Sequence, residues 1–268
     1  MLRAFGNPIL RGVVVGALLL ASCREAGKED KETAGKPRLL LYCGAGIRTA
    51  AAEIVEAFEK KHEVVIETDY AGSNILLSRI KLSGKGDLYM PGEAEYVRQA
   101  AAEGLVASSR DACYFIPVIL VRKGNPKNIQ TVGDLLRDGV SIGFGDPDAC
   151  AIGKVTDEIL RLNGISPSGS KIKQNVVFRS LTVNELGVHI KAGRIDATIV
   201  WDAIAEQYPN EGDIVRIPKE KNVISTVPIA VLCSSRHPKE AAAFQEFVVS
   251  EEARAIFEKH HYTTEFPR

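Results

Sequence analysis

A strand, a glycine turn and an amphipathic helix follow one another over residues 38–60, and this unit constrains the fold most. Residues 39–42 are a continuous apolar run, which is typical of a strand buried on both faces of a parallel sheet. Gly44 and Gly46 allow a tight turn. Apolar residues then recur with helical spacing at Ala51, Ile54, Val55 and Phe58. Because the first N–H groups of such a helix lack internal partners, they can hold an anion.

The same arrangement recurs along the chain. A β-branched strand over residues 64–70 leads through a short glycine-containing turn into a helix. A strand over residues 140–144 leads through the loop 145–153 into another helix. Strands that alternate with helices in this way indicate an α/β fold with mainly parallel sheets. We expect the repeated helix starts to converge on one small oxyanion.

Two helix starts carry side chains of special interest. Ser73 stands at the start of the second helix, where it could act as an N-cap or offer its hydroxyl to a ligand. Thr182 and Glu185 have the spacing of a capping box, in which each side chain bonds an amide of the helix start. That capping box would leave the amide of Val183 facing outward.

The N-terminus has the pattern of an export signal. Basic residues precede an apolar run over residues 13–20, which is too short for a permanent membrane span. The run ends in Leu-Ala-Ser-Cys23, which resembles the bacterial lipobox, in which the cysteine is lipidated. We therefore predict a lipoprotein signal over residues 1–23 and a flexible polar tether over residues 24–37. The alternative is a secretory signal with a chance cysteine.

Charge and cysteine content exclude several classes of partner. Lys plus Arg and Asp plus Glu each number 34, so the formal net charge is zero and no overall charge favours nucleic acid. The remaining cysteines form no CxxC pair, so a zinc site has no support from spacing. They allow three disulfide pairings, or each is a small buried apolar residue. These cysteines are Cys43, Cys113, Cys150 and Cys233.

Two long apolar strands predict how the chain divides into lobes. One covers residues 113–121 and the other residues 223–233, and each is long enough to lead from one lobe into another. The first lobe is then predicted to contain residues 38–118 and 226–268. The second lobe is predicted to be the inserted segment of residues 119–225.

Six stretches carry a family resemblance through their order and spacing: 42–50, 70–80, 86–93, 145–153, 182–201 and 226–232. On these stretches, the chain from residue 38 to its end resembles the molybdate-binding periplasmic proteins of bacterial molybdate ABC transporters. The resemblance implies a two-lobed type II periplasmic binding protein fold, with helices flanking the sheets and a hinged cleft. It also implies a monomeric, non-enzymatic protein without a cofactor or resident metal. Such a protein delivers molybdate or tungstate to a membrane permease and its ATPase, and it works in the periplasm or at the outer face of the cytoplasmic membrane.

Carried across by position, the family's ligand contacts fall on Gly46, Ser73, Ile152, Val183 and Trp201. Ile152 and Val183 stand where the family uses backbone amides, so their side-chain identity matters little. Gly46 replaces the family's serine and loses a hydroxyl donor. Trp201 replaces its tyrosine and offers an indole N–H that can only donate.

Two nearby side chains are candidates for replacing the hydroxyl donor lost at Gly46. They are Arg48, one turn into the first helix, and Asn74, beside Ser73. A solvent-exposed position is preferred for Arg48, because the family binds through uncharged donors.

Two other functions remain as alternatives. Gly44, Gly46 and Thr49 imitate the glycine fingerprint of an NAD-type oxidoreductase, and Asp69 follows at a suitable distance. Two observations argue against this function. Thr49 replaces the third glycine of the fingerprint, and the export signal would place the protein outside the cytosol, where NAD is found. The second alternative is a binding protein for sulfate or another oxyanion. The chain has no GxSxG or HExxH motif that would favour a hydrolase.

Overall fold

Two five-stranded sheets organise Gly35–Pro267, the part of the chain that a computed structural model describes. The predicted signal with its lipidation site Cys23, and most of the predicted tether, lie outside the described residues. In chain order the strands are β1 Arg38–Gly44, β2 Val65–Ala71, β3 Leu88–Met90, β4 Val106–Phe115, β5 Pro117–Arg122, β6 Ile142–Gly145, β7 Val176–Ser180, β8 Ala197–Trp201, β9 Gly212–Arg216 and β10 Ser225–Leu232.

Helices follow most of the strands. In chain order they are α1 Arg48–Glu59, α2 Ser73–Ser83, α3 Ala94–Ala102, α4 Ala151–Leu162, α5 Ser170–Asn175, α6 Val183–Lys191, α7 Asp202–Ala205, α8 Pro238–Val248 and α9 Glu251–Lys259. Short 3₁₀ turns lie at Ala45–Ile47, Val132–Leu136 and Lys219–Lys221. The first of these turns joins β1 directly to α1.

Each sheet combines parallel and antiparallel pairings. The first has the order β2-β1-β3-β10-β4, in which β1 runs parallel to β2 and β3, and β10 runs antiparallel to β3 and β4. The second has the order β7-β6-β8-β5-β9, in which β6 runs parallel to β7 and β8, and β5 runs antiparallel to β8 and β9. The predicted helix-flanked α/β fold with two lobes is confirmed. The sheets are not mainly parallel as expected, because β5 and β10, next to the crossings between the sheets, run antiparallel to their neighbours.

We call the first sheet with α1, α2, α3, α8 and α9 the first lobe, and the second sheet with the remaining helices the second lobe. The chain passes from the first sheet to the second at Ile116 and returns between residues 216 and 225. The continuous strand predicted over residues 113–121 is wrong, since β4 ends at Phe115 and β5 begins at Pro117. The division occurs because the two halves of that apolar run join different sheets.

The buried faces explain why the opening segment folds as predicted. In β1, residues from Leu41 to Gly44 are all buried, because the strand is covered on both faces. In α1, the predicted apolar face is buried against the sheet and contains Ala51, Ile54, Val55 and Phe58. Burial of such side chains contributes roughly 1.5–3 kcal/mol each to folding.

The four cysteines of the described region are free thiols. Cys43, Cys113 and Cys150 are buried, whereas Cys233 is exposed. The sequence left open whether these cysteines form disulfides or are small buried apolar residues. The second alternative holds for the three buried cysteines. Among the described residues, no helix is both long and apolar enough to cross a bilayer.

Candidate functional site

A small cavity lies where the C-terminal ends of strands from both sheets meet. All five predicted contacts, Gly46, Ser73, Ile152, Val183 and Trp201, line this one cavity. The other lining residues were not predicted as contacts. They are Gly44, Ala45, Ala71, Gly72, Gly92, Phe115, Cys150, Ala151 and Thr182.

The cavity has the size of a small ion. The centre of a water-sized sphere can move within about 20 Å³, and one water needs roughly 10–15 Å³ on this measure. The space for a ligand is therefore comparable to that of one or two water molecules. Only a ligand of a few atoms fits a space of this size.

Four helical segments begin at the cavity wall, two from each lobe. In the first lobe they are the 3₁₀ turn Ala45–Ile47 and α2, which begins at Ser73. In the second lobe they are α4 and α6, whose first turns contain Ile152 and Val183. The first amides of a helix have no carbonyl partner within it and carry partial positive charge. The convergence makes a site for an anion and explains why apolar side chains can stand at these positions.

Ser73 contributes a hydroxyl whose proton is free to be donated. Its Oγ accepts the N–H of Gly92 at 3.0 Å, and its side chain is almost fully buried. A hydroxyl has one donor and two acceptor positions, so the bond from Gly92 leaves the proton for another partner. The N-cap of α2 is Gly72, and its helix start has no side-chain cap bond. The N-cap alternative for Ser73 is therefore wrong.

The capping box predicted at Thr182 and Glu185 is also absent. Thr182 is the N-cap of α6 by position but makes no side-chain cap bond. Glu185 instead accepts a hydrogen bond at 2.6 Å from the hydroxyl of Ser180, which is buried at the end of β7. The Glu185 carboxylate is therefore bonded to Ser180 and does not complete a capping box. Val183 still lines the cavity.

Trp201 closes one side of the cavity from the last residue of β8. Its ring stacks on that of Phe115, with centroids 4.6 Å apart and planes at 25°. Phe115 ends β4 in the first lobe, so the stack joins the two lobes. The side chain of Trp201 is only 2% exposed.

Arg48 and Asn74, the two candidates for replacing the lost hydroxyl, are engaged elsewhere. Arg48 is exposed and places its guanidinium 4.3 Å from the ring centroid of Tyr70. Asn74 donates its side-chain N–H to the carbonyl oxygen of Asp148 at 2.6 Å. Neither residue lines the cavity. The exposed position preferred for Arg48 agrees with the structure.

Uncharged groups make up the wall of the cavity. Its lining contains no Arg, Lys, His, Asp or Glu. Burial raises the pKa of the Cys150 thiol to about 12, so this side chain is neutral at ordinary pH. Among the described residues, no group of at least three His, Cys, Asp or Glu side chains is arranged to hold a metal ion.

The two lobes meet closely beside the cavity. A Cβ at Gly72 would lie 2.6 Å from the carbonyl oxygen of Leu181 and closer still to that of Ala149. Only glycine allows this approach of one backbone to another. The side chain of Lys154 in α4 lies 4.6 Å from the ring centroid of Tyr96 in α3, a further contact between the lobes. The structure therefore has a closed cleft.

The geometry does not favour a dinucleotide site. Asp69 would bind the ribose in that alternative, but it forms an ion pair with Arg79 at 2.5 Å. The cavity beyond the glycine turn is also small, with space for only one or two water molecules, so this closed form does not admit a dinucleotide.

Sequence reasoning missed some of the wall. Gly72 precedes a predicted contact, and its small size was the signal that could have identified it. Phe115 lies at the passage between the lobes, and its neighbours in sequence give no sign that it faces a ligand cavity. Gly92 follows β3, and its role as the donor to Ser73 depends on contact across the sheet.

The molybdate-binding protein of Mycobacterium tuberculosis is similar over most of the chain. The two are 24% identical over 249 residues, which cover 92% of this chain and 92% of that protein.

Two solved structures share the fold. The sulfate-binding protein SubI of Mycobacterium tuberculosis has a TM-score of 0.74 at 21% identity, covering 86% of this chain and 88% of that one. The periplasmic molybdate-binding protein of Azotobacter vinelandii has a TM-score of 0.72 at 13% identity, covering 86% of this chain and all of that one.

The family model described as bacterial extracellular solute-binding protein matches residues 39–263. This match spans both sheets and every residue of the cavity wall. The chain belongs to the bacterial extracellular solute-binding protein family.

Proposed function

We propose that this protein is the binding component of an ABC importer and that it carries a tetrahedral oxyanion, molybdate or tungstate. The observation that carries the proposal is the meeting of helix starts from both lobes, the Ser73 hydroxyl and the Trp201 indole around one small cavity. Every one of these groups can donate a hydrogen bond, and an oxyanion accepts from all sides.

Uncharged donors suit this ligand. Burial of a dianion without partners would be costly, but several hydrogen bonds to a charged acceptor offset the lost hydration. Helix starts add partial positive charge at fixed positions. Because these donors are fixed in position, they cannot adjust to an oxyanion of another size. They therefore select among oxyanions by radius and shape better than a flexible lysine would.

The function is capture and delivery, without a chemical step. An open form admits the oxyanion, and hinge closure brings the amides of the second lobe against a ligand already held by the first. The closed form then docks on a membrane permease that works with an ATPase. The family's extracellular role supports a location outside the cytoplasm. We further propose that the protein is monomeric and that a lipid on Cys23 holds it at the membrane.

The choice of ligand rests on the relatives and on size. One relative that covers 92% of this chain is named a molybdate-binding protein. Sulfate has the same charge and shape with a smaller radius, and it is the second candidate. Hydrogen phosphate carries a proton that needs an acceptor, which a wall of donors supplies poorly.

Titration of the purified protein with molybdate, tungstate, sulfate and phosphate tests the proposal. Trp201 is the only tryptophan, so its fluorescence reports the site directly, and calorimetry gives an independent measure. We expect saturable binding of molybdate and tungstate, weaker binding of sulfate and none of phosphate. Tighter binding of sulfate would reassign the ligand within the same class. Absence of heat and of fluorescence change with all four anions would refute the oxyanion function.

A further inference from the structure

Gly46 and Trp201 compete for the same space in the cavity wall. A Cβ at Gly46 would lie 3.1 Å from both Nε1 and Cδ1 of Trp201 and 3.0 Å from Cγ1 of Val183. These distances are shorter than the roughly 3.5–4.0 Å at which non-bonded carbon atoms attract best. A Cβ at position 46 would therefore press on the indole and on Val183, and both would have to shift by a few tenths of an ångström.

The surroundings of both residues resist adjustment. The Trp201 ring is held by its stack on Phe115. On the other side, the hydroxyl of Tyr262 donates to the carbonyl oxygen of Gly46 at 2.7 Å and fixes the loop. Tyr262 also packs beside Phe115, with ring centroids 5.6 Å apart. A side chain added at Gly46 would therefore require a small shift of a packed aromatic ring or of a hydrogen-bonded backbone.

The indole N–H is available at this point. Among residues 35–267, Trp201 Nε1 has no hydrogen-bond partner, and Trp201 lines the cavity. Nε1 also lies 3.1 Å from the place that a Cβ at position 46 would take, so its N–H stands next to position 46.

We propose that Gly46 and Trp201 form a reciprocal specificity pair. The missing Cβ at position 46 admits the indole, and the indole N–H supplies the donor that position 46 no longer provides. Because an indole only donates, the pair favours a fully deprotonated oxyanion. Because the stacked ring is rigid, the pair also sets the radius of the cavity on that side. This proposal rests on the oxyanion function proposed above.

Exchange of the two side chains tests the pairing. We expect Gly46→Ser to weaken molybdate binding about 10- to 100-fold, because the new Cβ presses on Val183 and on the indole and shifts both from the cavity wall. Trp201→Tyr alone should weaken binding by a similar factor, because it leaves a gap beside Gly46. The double variant Gly46→Ser with Trp201→Tyr should bind within about 10-fold of the wild type, since coupled residues do not add. Calorimetry is the measurement, because the second variant lacks the fluorophore.

Two further variants make the result decisive. Gly133→Ser is the matched control, since a Cβ there would meet only Thr131 Oγ1 at an ordinary 3.5 Å outside the cavity. It should bind as the wild type does. Trp201→Phe removes the N–H without adding bulk, so it should lose about 10-fold in affinity even if Gly46→Ser fails to fold.

The outcomes separate this pairing from the function on which it rests. If the wild type binds no oxyanion, the proposed function fails and the pair has no ligand to select. If the wild type binds but the double variant is weaker than either single one, the pairing is overturned and the oxyanion function stands. Unchanged affinity in Trp201→Phe would likewise overturn the role of the indole donor.

Discussion

Asn74 in the first lobe donates its side-chain N–H to the backbone carbonyl oxygen of Asp148 in the second lobe, at 2.6 Å. The backbone N–H of Asn74 also reaches the carbonyl oxygen of Ala149 at 3.2 Å. Both bonds join the start of α2 to the loop that precedes α4, beside the cavity. Opening of the cleft would break both bonds, so we expect Asn74 to slow the release of a bound ligand.

Replacement of Asn74 should shorten the lifetime of the complex. We expect Asn74→Ala to raise the rate of molybdate dissociation about 3- to 10-fold, because the closed form loses one hydrogen bond worth roughly 0.5–1.5 kcal/mol. Stopped-flow fluorescence of Trp201 measures this rate. Asn163→Ala is a matched control, because Asn163 donates at 3.0 Å to the carbonyl oxygen of Lys221 away from the cavity. An equal acceleration in both variants would contradict a specific role for Asn74.

Addition of a methyl group at Gly72 should block closure. The backbone of Gly72 has φ −64° and ψ 145°, which any residue can adopt, so alanine is tolerated in the open form. In the closed form its Cβ would overlap the carbonyl oxygens of Ala149 and Leu181. We expect Gly72→Ala to lose at least about 100-fold in molybdate affinity, since contacts from the second lobe cannot form.

Small-angle scattering with and without molybdate tests this block directly. The wild type should contract on binding, whereas Gly72→Ala should keep the larger radius of gyration at saturating ligand. Gly133→Ala is the control, because its Cβ makes only an ordinary contact. Normal contraction of the Gly72 variant would show that the close approach at Gly72 is dispensable.

Removal of the Ser73 hydroxyl should weaken ligand binding and, separately, lower the stability of the unliganded protein. Ser73→Ala loses a donor to a charged ligand, and we expect molybdate binding to weaken by about 1.5–3 kcal/mol. It also leaves the Gly92 N–H without its acceptor, so the unliganded protein should lose roughly 1 kcal/mol of stability. Calorimetry and urea unfolding measure the two effects.

Ser78→Ala provides the comparison within the same helix. Its hydroxyl donates at 3.0 Å to the carbonyl oxygen of Asn74 on the exposed face of α2. It should leave affinity unchanged. If Ser73→Ala binds molybdate as tightly as Ser78→Ala does, Ser73 has no part in binding.

The local units of the fold could be predicted from sequence, but contacts between them could not. The apolar face of α1 and the buried strand β1 follow from periodicity, because burial on one or both faces leaves a pattern in the chain. The break at Ile116 leaves no such pattern, since both strands beside it are apolar. Which sheet each strand joins is decided by pairing partners distant in sequence.

In the candidate site, too, local features could be predicted from sequence but contacts between distant residues could not. Ser73 and Val183 could be placed at a cavity because helix starts are recognisable in sequence and because a family resemblance supplied positions. The relation between Gly46 and Trp201 could not be predicted, because it depends on a 3.1 Å approach between residues from different lobes. Ser180 similarly captures Glu185 through a local hydrogen bond that competes with the expected capping box.

Replacement of the proposed lipidation site should release the protein from membranes. Cys23→Ala removes the thiol that would carry the lipid, and a single protein chain without that anchor has no overall charge to hold it at a lipid surface. Fractionation of cells expressing each form measures the distribution. Cys233→Ala is the control, because Cys233 is an exposed free thiol within the folded region. Continued sedimentation of the Cys23 variant with membranes would contradict the anchor.

Asp202, which directly follows Trp201, should make stability depend on pH in an unusual direction. Burial raises the pKa of this carboxyl to about 6 from its ordinary value of 3.8, although the amide of Ala203 donates to it at 2.8 Å. Between these two values the folded state holds the proton and the unfolded state has released it. Stability from Asp202 is therefore present below about pH 4 and is lost as the pH rises through about 6.

Urea unfolding of the wild type and of Asp202→Asn across pH 4 to 7 measures this contribution. The free energy of unfolding of the wild type should fall relative to that of the variant as the pH rises, because asparagine stays uncharged. Asp213 provides the opposite sign, since its hydrogen bond with Lys123 lowers the pKa of its carboxyl. For Asp213→Asn, measured below pH 4 as well, the wild type should therefore gain stability relative to the variant as the pH rises towards the ordinary aspartate pKa of 3.8, and the difference should stay constant above it. A pH-independent difference for Asp202→Asn would mean that its carboxyl titrates alike in both states, and burial beside Trp201 would then have no effect on its charge.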